Sequence, residues 1–248
     1  LYLCEQGVKV HRDGEVLVVK KDDTVVRKVL TQDIERVVAW GNVQFTTQSV
    51  SLLMGKGISI SLLSRKGELK GIVSPGHDKN IVRRVAQFRL IDNPAYCLEF
   101  SRALVAAKIG NSCEFLARYH RRSPIGDFPA FRETAEKLCS SAAGAADIPA
   151  LMGIEGFGSR GYFHLYSGLF GEEWGFAGRS KRPPRDPVNA VLSLGYTILA
   201  GEIRSLIAAH GMDPGAGLYH SIEYGRPSLA VDLLEEFRSV VIDRFALY

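Results

Sequence analysis

The segment Gly153-Ile154-Glu155-Gly156-Phe157-Gly158-Ser159-Arg160-Gly161 sets one carboxylate among glycines, inside a stretch whose apolar spacing is helical. Each glycine in a helix costs about 1 kcal/mol relative to alanine. Either a ligand or another backbone approaches closely, or two helices pack tightly and Glu155 is merely solvated. His220 follows a glycine-rich loop at 211–217. An imidazole there is a ligand or a hydrogen-bonded structural residue. In Asp232-Leu233-Leu234-Glu235-Glu236, helical spacing puts Asp232 on the side of Glu235 (i+3) and Glu236 (i+4). Like charges so placed repel by a few tenths of a kcal/mol, which a bound cation removes. A solvated acidic edge is the alternative. Carboxylates with one imidazole and no thiolate suit Mg²⁺ or Mn²⁺ rather than structural zinc. Such an ion activates a nucleophile and neutralises a phosphate.

Between these segments lie Arg179, Lys181, Arg182 and Arg185, with Pro183-Pro184 keeping the loop extended. This cluster reads as a phosphate-backbone contact or as a mobile solvated loop.

The elements that must position these residues change character midway. Residues 1–73 read as short strands. Val8 and Val10 alternate with polar neighbours, and Asp13-Gly14 marks a hairpin into 16–19. Further runs lie at 25–30, 37–40 and 58–62. A short helix starts at Thr46 or Thr47 and stops at Gly55. Ser74-Pro75-Gly76-His77 opens a linker over 74–80. From 81 to 248 the period is helical: one segment near 82–89, one at 98–109 stopped by Gly110-Asn111, and one at 128–142 followed by a small-residue loop at 140–146. Another runs from Asp147 through Tyr166, and another from Asp186-Pro187 to His210. A last helix after Arg226-Pro227-Ser228 points Leu229, Leu233, Leu234, Phe237 and Val240 inward. The expected fold is α+β: a small N-terminal β-sandwich-like domain (1–73), the linker (74–80) and an all-α catalytic domain (81–248).

Bulk composition narrows the class. The chain has 248 residues, 46% hydrophobic and 23% charged, which excludes bulk disorder and fibrous repeats. No apolar run reaches about 18 residues, so no membrane span is expected. Four cysteines without metal-type spacing argue for a reducing, cytoplasmic setting. The net charge of +4 permits an anionic partner without requiring one. Leu1 in place of Met and an end without a tail suggest a piece of a longer polypeptide.

Four motifs in order carry a resemblance: Gly153-Ile154-Glu155-Gly156 with Tyr162-Phe163; Arg182-Pro183-Pro184-Arg185-Asp186-Pro187-Val188-Asn189-Ala190; Gly211-Met212-Asp213-Pro214 with His220; and Arg226-Pro227-Ser228-Leu229-Ala230-Val231-Asp232-Leu233-Leu234-Glu235. Gly41-Asn42-Val43, Thr46-Thr47 and Gly57-Ile58 add to it in the β half. The chain resembles the CRISPR-associated endonuclease/integrase of spacer acquisition, the Cas-one family. That resemblance implies Glu155, His220 and Glu235 as ligands of Mg²⁺ or Mn²⁺, with Asp232 supporting the site and Glu236 without a role. It implies joining of the 3′-hydroxyl ends of foreign DNA to a CRISPR repeat by metal-dependent transesterification. The implied partners are double-stranded DNA with 3′ single-stranded ends, a second copy paired mainly through the β domains, and a dimer of the small Cas-two protein. Fusion to, or association with, a Cas-four type nuclease is also implied, and a membrane is not. Arg179, Lys181, Arg182, Arg185 and Arg226 are assigned to DNA. The rival readings are a catalytically inactive DNA-binding scaffold of the adaptation complex and a metal hydrolase acting on a small phosphoester.

Overall fold

The computed structural model describes residues 1–65, 67, 69–75, 81–180 and 183–248. Residues 76–80 of the expected linker (74–80), and Lys181 and Arg182 of the basic cluster, lie outside the described residues. The chain forms two compact units, 1–83 with 205–212, and 84–204 with 213–248.

Among the described residues eight strands come first: β1 (Tyr2–Leu3), β2 (Lys9–Asp13), β3 (Val16–Lys21), β4 (Thr24–Leu30), β5 (Arg36–Trp40), β6 (Gln44–Phe45), β7 (Ser59–Leu63) and β8 (Leu69–Val73), with helix α1 (Thr47–Gly55) between β6 and β7. They make two four-stranded sheets, ordered β1-β5-β7-β8 and β4-β3-β2-β6. The hairpin forms at Asp13-Gly14, where β2 and β3 pair antiparallel with His11 opposite Val18, and Gly14 takes the positive φ (+60°) of the turn. Thr46 caps α1, its Oγ1 accepting from Ser49 N at 3.3 Å. Val10, Leu17, Val37 and Leu53 are fully buried and anchor the core of this unit. In contrast, β4 is an edge strand with Val25, Val26 and Leu30 exposed. Strands β1, β6 and β8 are not anticipated from the sequence. Two of them are only two residues long, too short to show a period of two.

Six α-helices follow among the described residues: α2 (Ile81–Ile91), α3 (Pro94–His120), α4 (Phe128–Ala143), α5 (Ile148–Ser167), α6 (Pro187–Ala209) and α7 (Ser228–Phe237); a π-helical stretch, Arg238–Asp243, continues α7. Four of them start with one device. Asn93, Asp127, Asp147 and Asp186 each accept a bond from a backbone N–H of the first turn, and a proline follows at the first or second helical position. The asparagine or aspartate satisfies an orphan donor, and the proline has no N–H to orphan. The C-terminal end of α6 belongs to the first unit, where Ser205 Oγ bonds Ser61 Oγ at 2.8 Å.

Three expectations are corrected. Helix α3 does not stop at Gly110-Asn111, because Ser112, Cys113, Phe115 and Leu116 continue its buried side and Asn111 Nδ2 donates to Glu236 O at 2.9 Å. The expected loop at 140–146 begins only after Ala143, since α4 runs that far. On the last helix Phe237 and Val240 are exposed, while Asp232 and Glu235 are buried in their place. Over residues 187–208, α6 is long and apolar enough to cross a membrane by length and composition. Yet it buries Asn189, whose side-chain atoms bond Arg179, Ser180, Gly178 and Asp186.

Candidate active site

Helices α3, α5 and α7 bring Lys108, Glu155 and Glu235 together. Lys108 Nζ hydrogen-bonds Glu155 Oε1 and forms an ion pair with Glu235 Oε2 at 2.6 Å. Ser159, one turn after Glu155, donates its hydroxyl to Glu155 Oε1 at 2.9 Å. Arg238 Nη2 reaches the other oxygen of Glu235, Oε1, at 2.9 Å. Both carboxylates are largely buried, with side chains 24% and 7% exposed. Burial pushes the Glu155 carboxyl up, but the charge and hydrogen bond of Lys108 outweigh it and hold the group below the usual carboxylate range. Two carboxylates converging on one positive charge supply oxygen donors of the kind that could hold a hard divalent ion such as Mg²⁺ or Mn²⁺.

The glycines around Glu155 serve two ends. A Cβ on Gly158 would meet Ile109 at 3.3 Å and one on Gly161 would meet Phe131 at 3.0 Å, so these two permit close helix packing. A Cβ on Gly153 or Gly156 would meet nothing within 4 Å.

Asp232 is fully buried and organises the loop before α7. Its Oδ2 accepts from the backbone N–H of Leu218 (2.7 Å) and Tyr219 (3.0 Å), and its Oδ1 from that of His220 (2.9 Å). The same Oδ1 lies 2.7 Å from His220 Nδ1, which leaves Nε2 as the ring nitrogen for a ligand. Asp232 thus holds His220 in place, and its oxygens are already occupied. Among the described residues no three His, Cys, Asp or Glu side chains stand close enough to hold one metal. Glu155 and Glu235 converge on Lys108, whereas His220 is tied to Asp232. Next to His220, the Tyr219 hydroxyl is buried without a hydrogen-bond partner, and burial with the negative charges of Glu155, Glu235 and Asp232 raises its pKa.

Beside the acidic pair opens a cavity of about 590 Å³, whose walls include Lys108, Glu155, Arg179, Tyr196, Glu235 and Arg238. Arg179 and Arg238 both lie over the Tyr196 ring, at 5.3 and 4.8 Å from its centroid. Asp243 accepts from the hydroxyls of Tyr162 (2.7 Å) and Tyr196, and burial raises its carboxyl to about 6 against those hydrogen bonds. The residues of the basic loop differ in setting. Arg179 is half-buried and bonds Asn189 Oδ1 (2.7 Å) and Ser193 Oγ (3.0 Å), so it is a wall of the cavity rather than a solvated loop residue. Arg185 is exposed, and Arg226 pairs with Glu223 at 3.1 Å. Glu236 is half-buried.

Sequence reasoning missed Lys108, Tyr219, Arg238 and Asp243. Lys108 left one legible trace: it is the lone charge in Leu104-Val105-Ala106-Ala107-Lys108-Ile109-Gly110. A cation buried within an otherwise apolar stretch needs a partner.

Fold and site together define an α+β protein whose helical unit holds a carboxylate pair fit for a hard cation. The family model described as CRISPR associated protein Cas1 matches residues 1–248, and the chain belongs to that family. The CRISPR-associated endonuclease Cas1 3 of Thermus thermophilus is 36% identical over 251 residues, covering 100% of this chain and 73% of its own length. A CRISPR-associated exonuclease Cas4/endonuclease Cas1 fusion of Geobacter sulfurreducens is 34% identical over 257 residues, 100% of this chain and 46% of the fusion. Among solved structures, a chain of a partial Cas6-RT-Cas1–Cas2 complex superposes with a TM-score of 0.74 at 26% identity, covering 100% of this chain and 74% of the other.

Proposed function

We propose that the protein is a metal-dependent DNA endonuclease and integrase, which joins the 3′-hydroxyl ends of short foreign DNA to a CRISPR array by transesterification. The observation that carries this reading is the buried Glu155–Lys108–Glu235 cluster beside a guanidinium-lined cavity, in a chain of the Cas1 family. Glu155 and Glu235 would hold Mg²⁺ or Mn²⁺, and His220 would have to approach them with its Nε2 to serve as the third donor. A metal held there would supply activation of an attacking hydroxyl and neutralisation of phosphate charge. Asp232 sets the His220 ring and the loop behind it. Arg179 and Arg238, clamped on Tyr196, offer donors to phosphate oxygens from the cavity wall. Arg185 and Arg226, with Lys181 and Arg182 of the same basic cluster in the sequence, would neutralise the duplex backbone.

Relatives support the partners. One is named as a Cas4/Cas1 fusion and another occurs in a complex with Cas2, so association with a Cas2 dimer and with a Cas4-type nuclease belongs to this reading. A homodimer paired through the β unit fits the exposed apolar edge of β4.

The test offers the protein duplex DNA with 3′ single-stranded ends and a supercoiled plasmid carrying a CRISPR repeat. Joined products that form with Mg²⁺ or Mn²⁺ and vanish with chelator are expected. Intact DNA beside rapid hydrolysis of a small phosphodiester would contradict the proposal and favour a small-phosphoester hydrolase.

A further inference from the structure

Two buried carboxylates on different helices repel each other unless a cation lies between them. The cation present is the protein's own. Lys108 contacts Glu155 and Glu235 together, its side chain 14% exposed, in the place where the acidic pair would receive a metal. Its grip on the two partners differs. Glu155 shares the ammonium with the Ser159 hydroxyl on the same oxygen, Oε1, whereas Glu235 meets the ammonium through Oε2 at 2.6 Å and Arg238 through Oε1. Lys108 also lines the cavity, so the ammonium has open space beside it. Lysine suits a removable charge, being a compact ammonium on a flexible stem with three rotatable donors.

We infer that Lys108 is a resident counter-ion of the acidic pair: it holds Glu155 and Glu235 together in the metal-free protein and is displaced into the cavity when a divalent cation binds. The inference rests on the metal-holding reading of Glu155 and Glu235. Lys108 is therefore a positioning residue, and metal binding is a competition. The apparent affinity for the ion is lowered by the fraction of molecules in which the ammonium still fills the site. If that fraction is nine in ten, removing the ammonium tightens metal binding about tenfold.

Two measurements on the full chain test this. The first follows acylation of Lys108 by acetic anhydride, read by peptide mass spectrometry, with and without saturating Mn²⁺. The second titrates Mn²⁺ into wild type, Lys108→Met and Lys108→Arg, counting free ion by electron paramagnetic resonance. Displacement predicts that Mn²⁺ raises Lys108 acylation several-fold, and that Lys108→Met binds Mn²⁺ about tenfold more tightly than wild type. Lys108→Arg should bind no more tightly than wild type. Unchanged acylation while Mn²⁺ is bound overturns the inference, and so does equal or weaker binding by Lys108→Met. If neither wild type nor Lys108→Met binds Mn²⁺, the metal reading of the site falls and the inference falls with it. Should Lys108→Met fail to fold, the wild-type acylation result decides.

Discussion

Asp232 spends both carboxylate oxygens on the loop that carries His220, and a side chain with three backbone donors to satisfy cannot be trimmed cheaply. Asp232→Ala leaves those N–H groups buried and unpaired and should cost about 3 kcal/mol. Urea denaturation measures it, and Asp232→Asn, which keeps one accepting oxygen, should lose less. Asp243 makes a prediction of opposite character. Its carboxyl sits near 6 when folded against 3.8 for a free aspartate, so the folded state binds the proton more tightly. Stability from this group is therefore full below pH 4 and falls as pH rises from about 4 to 6, by about 2–3 kcal/mol. Tyr162 and Tyr196, held far above their ordinary pKa by burial and the Asp243 charge, make stability fall again above pH 10. Asp243→Asn should flatten the acid limb relative to wild type. Identical pH profiles for the two proteins would contradict the Asp243 assignment.

Helix α5 separates its glycines by what faces them. Gly153→Ala projects into open space and should stabilise by roughly 0.5–1 kcal/mol through helix propensity, whereas Gly161→Ala presses on Phe131 and should destabilise. Thermal melts distinguish the two signs. The basic loop divides in the same way. Arg179→Ala removes bonds to Asn189 and Ser193 and should lower stability. Arg182→Ala/Arg185→Ala should instead lower the slope of log affinity against log salt by about 1.8. An unchanged slope would remove the loop from the DNA path. These elements also show what could be read without coordinates. Alternating valines, Asp13-Gly14 and Asp186-Pro187 are local signals, and each appears where its chemistry requires. The acidic residues of the last helix were legible as types, but not which of them is buried. That depends on α3 packing against α7, and no spacing within α7 encodes it. Lys108 lies 47 residues from one partner and 127 from the other, so its ion pairs arise from tertiary structure alone.

At the scale of the whole molecule, the two units pose separate questions. The β unit offers the exposed apolar edge of β4, and under the proposed pairing there Val26→Lys should lower self-association in sedimentation while leaving the sheet intact. A dimer unaffected by that charge would place self-association elsewhere. The helical unit carries the central claim, that Glu155 and Glu235 form the reacting centre. The most direct measurement is Mn²⁺-dependent joining of 3′-ended DNA by wild type, Glu155→Ala and Glu235→Ala, each with its DNA affinity determined on the same preparation. Both variants should lose joining while binding DNA as tightly as wild type or slightly better, since each removes a negative charge beside the bound phosphate. Wild-type joining rates in either variant would contradict the account.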